Sequence, residues 1–171
     1  PARSLRWWPN VCVPRAIAWV SSLSADGVPN LAPFSQFTNV SYDPPHVLFC
    51  PRADTDSSRN IADTGEFVVN MATYDMREAV NATSAVVPPQ IDEAALAGLE
   101  MAPSRLVAPR RVAQAPAQLE CKLHSIVLVP QRLADRLCAI VIGRVIGVHI
   151  RDDALTPEGR IDVARIRPLA R

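Results

Sequence analysis

The sequence predicts a mainly β protein with short helices, built as an antiparallel barrel, and three observations carry that expectation. Short runs of apolar and β-branched residues are separated by turn signals at close intervals, long stretches of helical periodicity are few, and no strand–helix–strand rhythm points to a parallel sheet. With 171 residues, 49% of them hydrophobic, the chain can bury one sizeable core. Its length argues against two, so residues 1–171 are read as a single domain. The tally is six or seven strands and three short helices, with no internal repeat.

Taken in order, residues 3–13 hold Trp7, Trp8 and Pro9 and read as an entry segment packed across the surface. From Ala16 to Leu23 the run A-I-A-W-V-S-S-L is rich in β-formers. Asp26-Gly27 follows as a hairpin turn, and Val28 to Phe34 is the return strand. Asp43-Pro44-Pro45 interrupts any regular element, because proline fixes φ and has no N–H to donate. His46 to Cys50 is then a short buried strand. In D-T-D-S-S-R-N-I-A-D-T-G, Asp56 or Ser57 is the expected N-cap of a helix of about two turns, with Ile61 inward and Gly65 as the stop.

Glu66 to Ala72 reads as a strand and Tyr74 to Thr83 as a helix. Residues 84–116 carry Pro88, Pro89, Pro103, Pro109 and Pro116 around one helix at Asp92 to Leu99. They are read as an excursion over the site rather than core. Leu119, Cys121 and Leu123 alternate with Glu120, Lys122 and His124, the period of a half-solvated strand with Glu120 and Lys122 on its exposed face. Leu137 to Ile150 is a longer strand in which Gly143 and Gly147 allow the bends of a small barrel, and a closing helix lies near Asp162 to Arg165.

Charge and composition exclude several classes. The 18 basic and 17 acidic side chains nearly cancel and form no block, which leaves no electrostatic support for a nucleic-acid or membrane-surface partner. No apolar run approaches the roughly 20 residues that span a bilayer, and the first ten residues lack the apolar stretch of a secretory signal, so a cytoplasmic location is expected. Cys12, Cys50, Cys121 and Cys138 are far apart with no C-x-x-C pair and no neighbouring histidine. They are read as reduced core residues, and no metal is expected. His46 and His124 are read as structural.

Two clusters carry chemistry. Ser35, Gln36, Thr38 and Asn39 put four hydrogen-bonding side chains into five residues, flanked by Phe34 and Phe37. Such a run can hold the polar edge of a flat heterocycle whose face rests on apolar side chains. The second cluster is Arg52, Thr55, Asp56, Ser57, Ser58 and Arg59, where a helix start, hydroxyls and guanidinium groups make a seat for a phosphate. A flat ring joined to a phosphate is the description of flavin mononucleotide, FMN. His149, at the end of the last long strand, is placed to contact the flavin or a nicotinamide. Dinucleotide, P-loop and nucleophile-elbow motifs are all missing.

Four stretches, in order, resemble the flavin reductase-like family of FMN-binding split-barrel proteins, which includes flavoredoxins and the reductase components of two-component monooxygenases. They are Arg15 to Pro45, Asp56 to Met71, Leu119 to Leu123 and Ile142 to Ile150. The resemblance implies an antiparallel split β-barrel forming a homodimer with FMN near the interface. It also implies NADH or NADPH as co-substrate, and a monooxygenase or another electron acceptor downstream. It implies that Ser35, Gln36, Phe37, Thr38 and Asn39 contact the ring, that Asp56, Ser57 and Arg59 serve the phosphate, and that His149 lies near the flavin. Members often have Lys-Asp-Thr where this chain has Thr55-Asp56-Ser57, and Arg52 is the expected substitute for that lysine. Many also continue into a Gly-rich, Tyr-containing tail beyond the point where this sequence stops, at Arg171. Both ends are therefore read as open to trimming or continuation, and a pocket without that tail is expected to be more open.

The expected function is hydride transfer from NAD(P)H to flavin N5. The alternatives are a non-catalytic binder or electron carrier for FMN or another planar cofactor such as haem, and an oxidoreductase acting on an organic substrate under the 84–116 excursion.

Overall fold

The computed structural model describes residues 11–130 and 137–171. Most of the expected entry segment, Trp7, Trp8 and Pro9 included, lies outside them. β1 (Ala18–Leu23) and β2 (Pro29–Phe34) form the expected hairpin, in register from Ala18 opposite Phe34 to Leu23 opposite Pro29. Gly27 holds the turn at φ 82, a left-handed conformation that a Cβ disfavours. The chain then re-enters a strand at once. β3 (Phe37–Tyr42) occupies most of the stretch expected to be a polar rim, and it pairs with β4 (Pro45–Phe49).

α1 (Asp56–Thr64) ends as expected, with Gly65 at φ 72 donating its N–H to Ile61 O, but its N-cap is Thr55 rather than Asp56 or Ser57. Thr55 Oγ1 accepts from Ser58 N, so the helix starts one residue earlier than the capping pattern suggests. β5 (Glu66–Met71) follows. A 3₁₀ turn over Tyr74–Met76 then leads into α2 (Arg77–Ala82), where one helix is expected from Tyr74 to Thr83. Of the helix expected over Asp92 to Leu99, only α3 (Glu93–Leu96) forms. β6 (Met101–Ala102) and β7 (Arg111–Val112) make a two-stranded ladder within the excursion. β8 (Ala117–Pro130) and β9 (Leu137–Ile150) form a long antiparallel pair, and α4 (Val163–Ile166) lies where the closing helix is expected, capped by Asp162.

The main sheet has the order β2-β1-β5-β8-β9-β4-β3, all antiparallel. Its two outer strands, β2 and β3, are consecutive in the chain and separated only by Ser35 and Gln36. The sheet must therefore curl until its edges approach one another at that link, and Cys50 N donating to Gln36 O at 3.0 Å fastens the place where they do. The result is an antiparallel barrel left open between β2 and β3.

Its interior is filled by one apolar cluster, including Val20, Phe49, Ile61, Phe67, Val69 and Val141. Phe49 packs against Phe67 and Phe34 with ring centroids 5.6 Å and 5.0 Å apart. Each such buried ring contributes roughly 1.5–3 kcal/mol. A Cβ at Gly143 would overlap the Phe67 ring, so the glycine is required by close approach.

A second cluster corrects the reading of the excursion. Trp19 and Leu31, on the outer face of the sheet, together with Ala72 just past β5 and Val80 of α2, pack against Ala94, Val112 and Ala115 of residues 84–116. The excursion is thus a second core, fastened by buried polar side chains. Asn70 donates to Trp19 O (2.9 Å) and accepts from Val112 N (2.8 Å), while Gln118 Nε2 donates to Val112 O (3.0 Å) and Ala115 O (2.7 Å). Proline-rich backbone cannot complete a ladder of its own, and these amides supply the missing partners.

Two further readings change. Of the four cysteines only Cys121 is buried, and Cys12, Cys50 and Cys138 are half-buried. Glu120, expected on the exposed face beside Lys122, is fully buried. A register shift between Glu120 and Cys121 breaks the strict alternation on which that expectation rests.

Candidate functional site

At the opening between β2 and β3 lies a cleft of about 530 Å³. One side is the end of β2 and the two-residue link, with Phe34, Ser35 and Gln36. Opposite stand the chain leaving β4, from Cys50 to Asp54, and the start of α1. The third wall is the beginning of the excursion, from Thr83 to Val87, together with Glu93. Both clusters singled out in the sequence therefore reach one hollow.

Not every expected residue does. Ser35, Gln36, Arg52, Asp56, Ser57 and Arg59 line the cleft. Phe37 instead packs against the barrel interior and lines a small apolar recess with Val69 and Leu119. Thr38 and Asn39 are exposed on the outer strand β3, where Thr38 Oγ1 donates to Asn39 O. Ser58 is buried beneath the helix start, its hydroxyl turned to Arg52 O at 2.8 Å.

His149 does not line the cleft. Its Nε2 is hydrogen-bonded to Glu120 Oε1 across the β8–β9 pair, and the same carboxylate accepts from Arg105 N (2.9 Å) and Leu106 N (2.6 Å) of the excursion. Burial alone pushes the Glu120 carboxyl up, but the two amides and the His149 ring outweigh it and hold the group below the ordinary carboxylate range.

The cleft is rich in both signs of charge. Arg52 makes a two-pronged pair with Asp54 (2.9 Å for each bond), and Arg59 donates to Asp54 O (2.7 Å) and Asp56 Oδ1 (2.5 Å). Both guanidinium groups are about half exposed, at 50% and 53%. Such exposed pairs contribute little net energy, so an incoming anion can take the place of the carboxylates. Glu93 differs. It is nearly buried, its Oε2 accepts from Leu31 N at 3.0 Å, and burial raises its carboxyl above the ordinary range, with Asp56 and Asp92 adding to the push.

The sequence does not single out Thr83, Ser84 or Glu93: the excursion is expected over the site, but no local pattern says which of its residues, or of the preceding helix end, face the cleft. A period-two pattern with no allowance for a bulge likewise hides Glu120.

Over residues 11–166 the sequence matches the family model of the flavin reductase like domain. The chain belongs to the flavin reductase-like family. Among relatives of this flavin reductase-like chain is an uncharacterized protein of Aquifex aeolicus, 34% identical over 165 residues, which cover 93% of this chain and 81% of that protein. Nitrilotriacetate monooxygenase component B of Bacillus cereus superposes with a TM-score of 0.92 at 29% identity, covering 99% of this chain and 86% of that one. A split-barrel-domain protein of Shewanella frigidimarina superposes with a TM-score of 0.84 at 22% identity, over 100% and 85% of the two chains, and shows the same fold. The expected split barrel and family are thus both found, and with them an oxidoreductase of the flavoprotein class.

Proposed function

We propose that the cleft between β2 and β3 binds FMN and that the chain is an NAD(P)H-dependent flavin reductase. The observation that carries this reading is the convergence on one hollow of the Ser35–Gln36 link and the Arg52–Arg59 segment. The fit is chemical as well as spatial. A cleft of about 530 Å³ is within the range of small-molecule sites. Phe34 supplies an apolar plane, Ser35 and Gln36 offer ring-edge partners, and two weakly paired guanidinium groups stand at the helix start where a phosphate is favoured.

When bound, the flavin supplies the redox chemistry, taking up hydride at N5 from NADH or NADPH. The protein's task is then to bind, orient and exclude water. Thr83 to Val87 cover the cleft from the excursion side. The proposal extends to a homodimer with the flavin near the interface, in which Thr38, Asn39 and His149 face the flavin region of the assembly, and to a monooxygenase or other acceptor downstream.

The test is anaerobic mixing of the purified protein with FMN and NADH while the flavin visible band is followed. Bleaching at catalytic rates supports the reductase, whereas a stable yellow complex indifferent to NADH and NADPH identifies a binder and overturns it. The phosphate seat is tested separately. Arg59→Ala is expected to weaken FMN about tenfold, about 1.4 kcal/mol, and to leave riboflavin unchanged. Equal loss of both ligands in a binding titration would show that Arg59 does not meet the phosphate.

A further inference from the structure

A second cavity, of about 470 Å³, lies between the β1–β2 hairpin and the excursion, and the proposed reductase makes no use of it. Ser21, Ser22 and Leu31 form part of its sheet side, and Leu99, Met101 and Arg110 part of its excursion side. Most of this lining is apolar. Among its polar groups Ser21 is satisfied, donating to Arg110 O and accepting from Asn70 Nδ2, whereas Asn30, Ser22 and Arg110 keep donors to offer.

Asn30 is decisive. The residue is 7% exposed, and its Nδ2 is the buried side-chain polar atom left without a hydrogen-bond partner among the described residues. Leaving a buried amide donor unpaired is unfavourable, and an acceptor oxygen in the cavity would satisfy it. Ser22, also buried, accepts from Asn60 Nδ2 at 3.2 Å and keeps its own proton to donate. The exposed Arg110 guanidinium has no ion-pair or hydrogen-bond partner among the described residues. The acid on this wall, Asp92, is occupied by capping, its Oδ1 accepting from Ala94 N (2.9 Å) and Ala95 N (3.3 Å).

We infer that this cavity is a second ligand site, for a small monocarboxylate with a compact apolar or aromatic body. The carboxylate would take the donors of Asn30, Ser22 and Arg110, and the body would rest on Leu31, Leu99 and Met101. The site is distinct from the flavin cleft, although Asn30 lines both. That shared residue makes the experiment discriminating.

Isothermal titration with benzoate as the probe is expected to show saturable binding of one molecule per chain, with a Kd of about 1 mM or tighter. Benzyl alcohol, with the same ring and no carboxylate, should bind at least about tenfold more weakly. Arg110→Met should weaken benzoate by about tenfold and leave FMN binding unchanged. Leu99→Trp, which fills the cavity, should abolish benzoate binding while far-UV circular dichroism reports an intact fold. Should that variant not fold, Arg110→Met decides alone. The inference is overturned by the absence of saturable heat, by benzoate binding that neither variant alters, by equal binding of benzyl alcohol, or by competition between benzoate and FMN. The last outcome would place the Asn30 donor in the flavin cleft.

Discussion

Two buried glutamates, 27 positions apart in sequence, bracket the range of what a carboxylate can do in this fold. Glu120 meets three partners, and its folded-state pKa is depressed. Its contribution to stability is therefore present above the ordinary carboxylate pKa and lost as the pH falls through the lower folded value. Glu120→Ala should cost about 3 kcal/mol at neutral pH, because it leaves two backbone amides and an imidazole unpartnered, and it should flatten the acid limb of a stability–pH profile. An unchanged acid limb in chemical denaturation would refute this assignment.

Glu93 has the opposite sign. Its folded pKa is raised, so its contribution is full below the ordinary value and declines as the pH rises through the raised one. Glu93→Gln keeps an acceptor for Leu31 N and removes the buried charge. The variant is expected to be as stable as the parent at neutral pH or up to about 1 kcal/mol more stable. Because Glu93 also lines the proposed flavin cleft, the same change should tighten FMN a few-fold and leave riboflavin unaffected. Thermal denaturation and flavin titration on one preparation read both effects.

At the scale of elements, the start of α1 serves stability and the proposed phosphate seat together. Thr55 caps the helix, and both its hydroxyl and that of Ser58 are drawn to Arg52 O, at 2.9 Å and 2.8 Å. Thr55→Ala should lower stability by about 1 kcal/mol through the lost cap, and weaken FMN through the loosened loop that carries Arg52. Rescue by Thr55→Ser of both properties would identify the hydroxyl as the cause.

This helix also shows what local sequence can specify. Gly65, the Asp26-Gly27 turn and the β1–β2 pair were legible because each depends on residues within a few positions. That Arg52, Asp56, Ser57 and Arg59 stand together at the start of α1 was legible for the same reason. β3 was not, because its polar, aromatic-flanked stretch has the composition of a rim and becomes a strand through pairing with β4. Glu93 reaching Leu31, 62 residues away, and Asn70 reaching Val112, 42 away, are long-range hydrogen bonds that no window of sequence contains. The excursion's role as a second core was hidden with them.

For the whole molecule, the long β8–β9 hairpin raises the question of what covers its far end. β5 pairs with β8 only from Gln118 to Lys122, whereas β8 continues alongside β9 through Pro130 opposite Leu137. Past the ladder with β5, Val127, Leu128 and Val129 are consecutive and all exposed, at 50%, 53% and 41%. Consecutive strand residues point to opposite faces, so this arm is apolar on both sides. A large apolar surface left in water is unusual and marks an interaction site. The proposed homodimer gives it an occupant, a second copy of the chain. Sedimentation at micromolar concentration should then return twice the monomer mass, and Leu128→Glu should shift the equilibrium toward monomer by burying a charge at the contact. If the flavin lies near that contact, the same variant should also weaken FMN although Leu128 does not line the cleft in one chain. A wild-type monomer, or a dimer indifferent to Leu128→Glu, would remove this arm from the interface and require the cleft of a single chain to account for the whole of flavin binding.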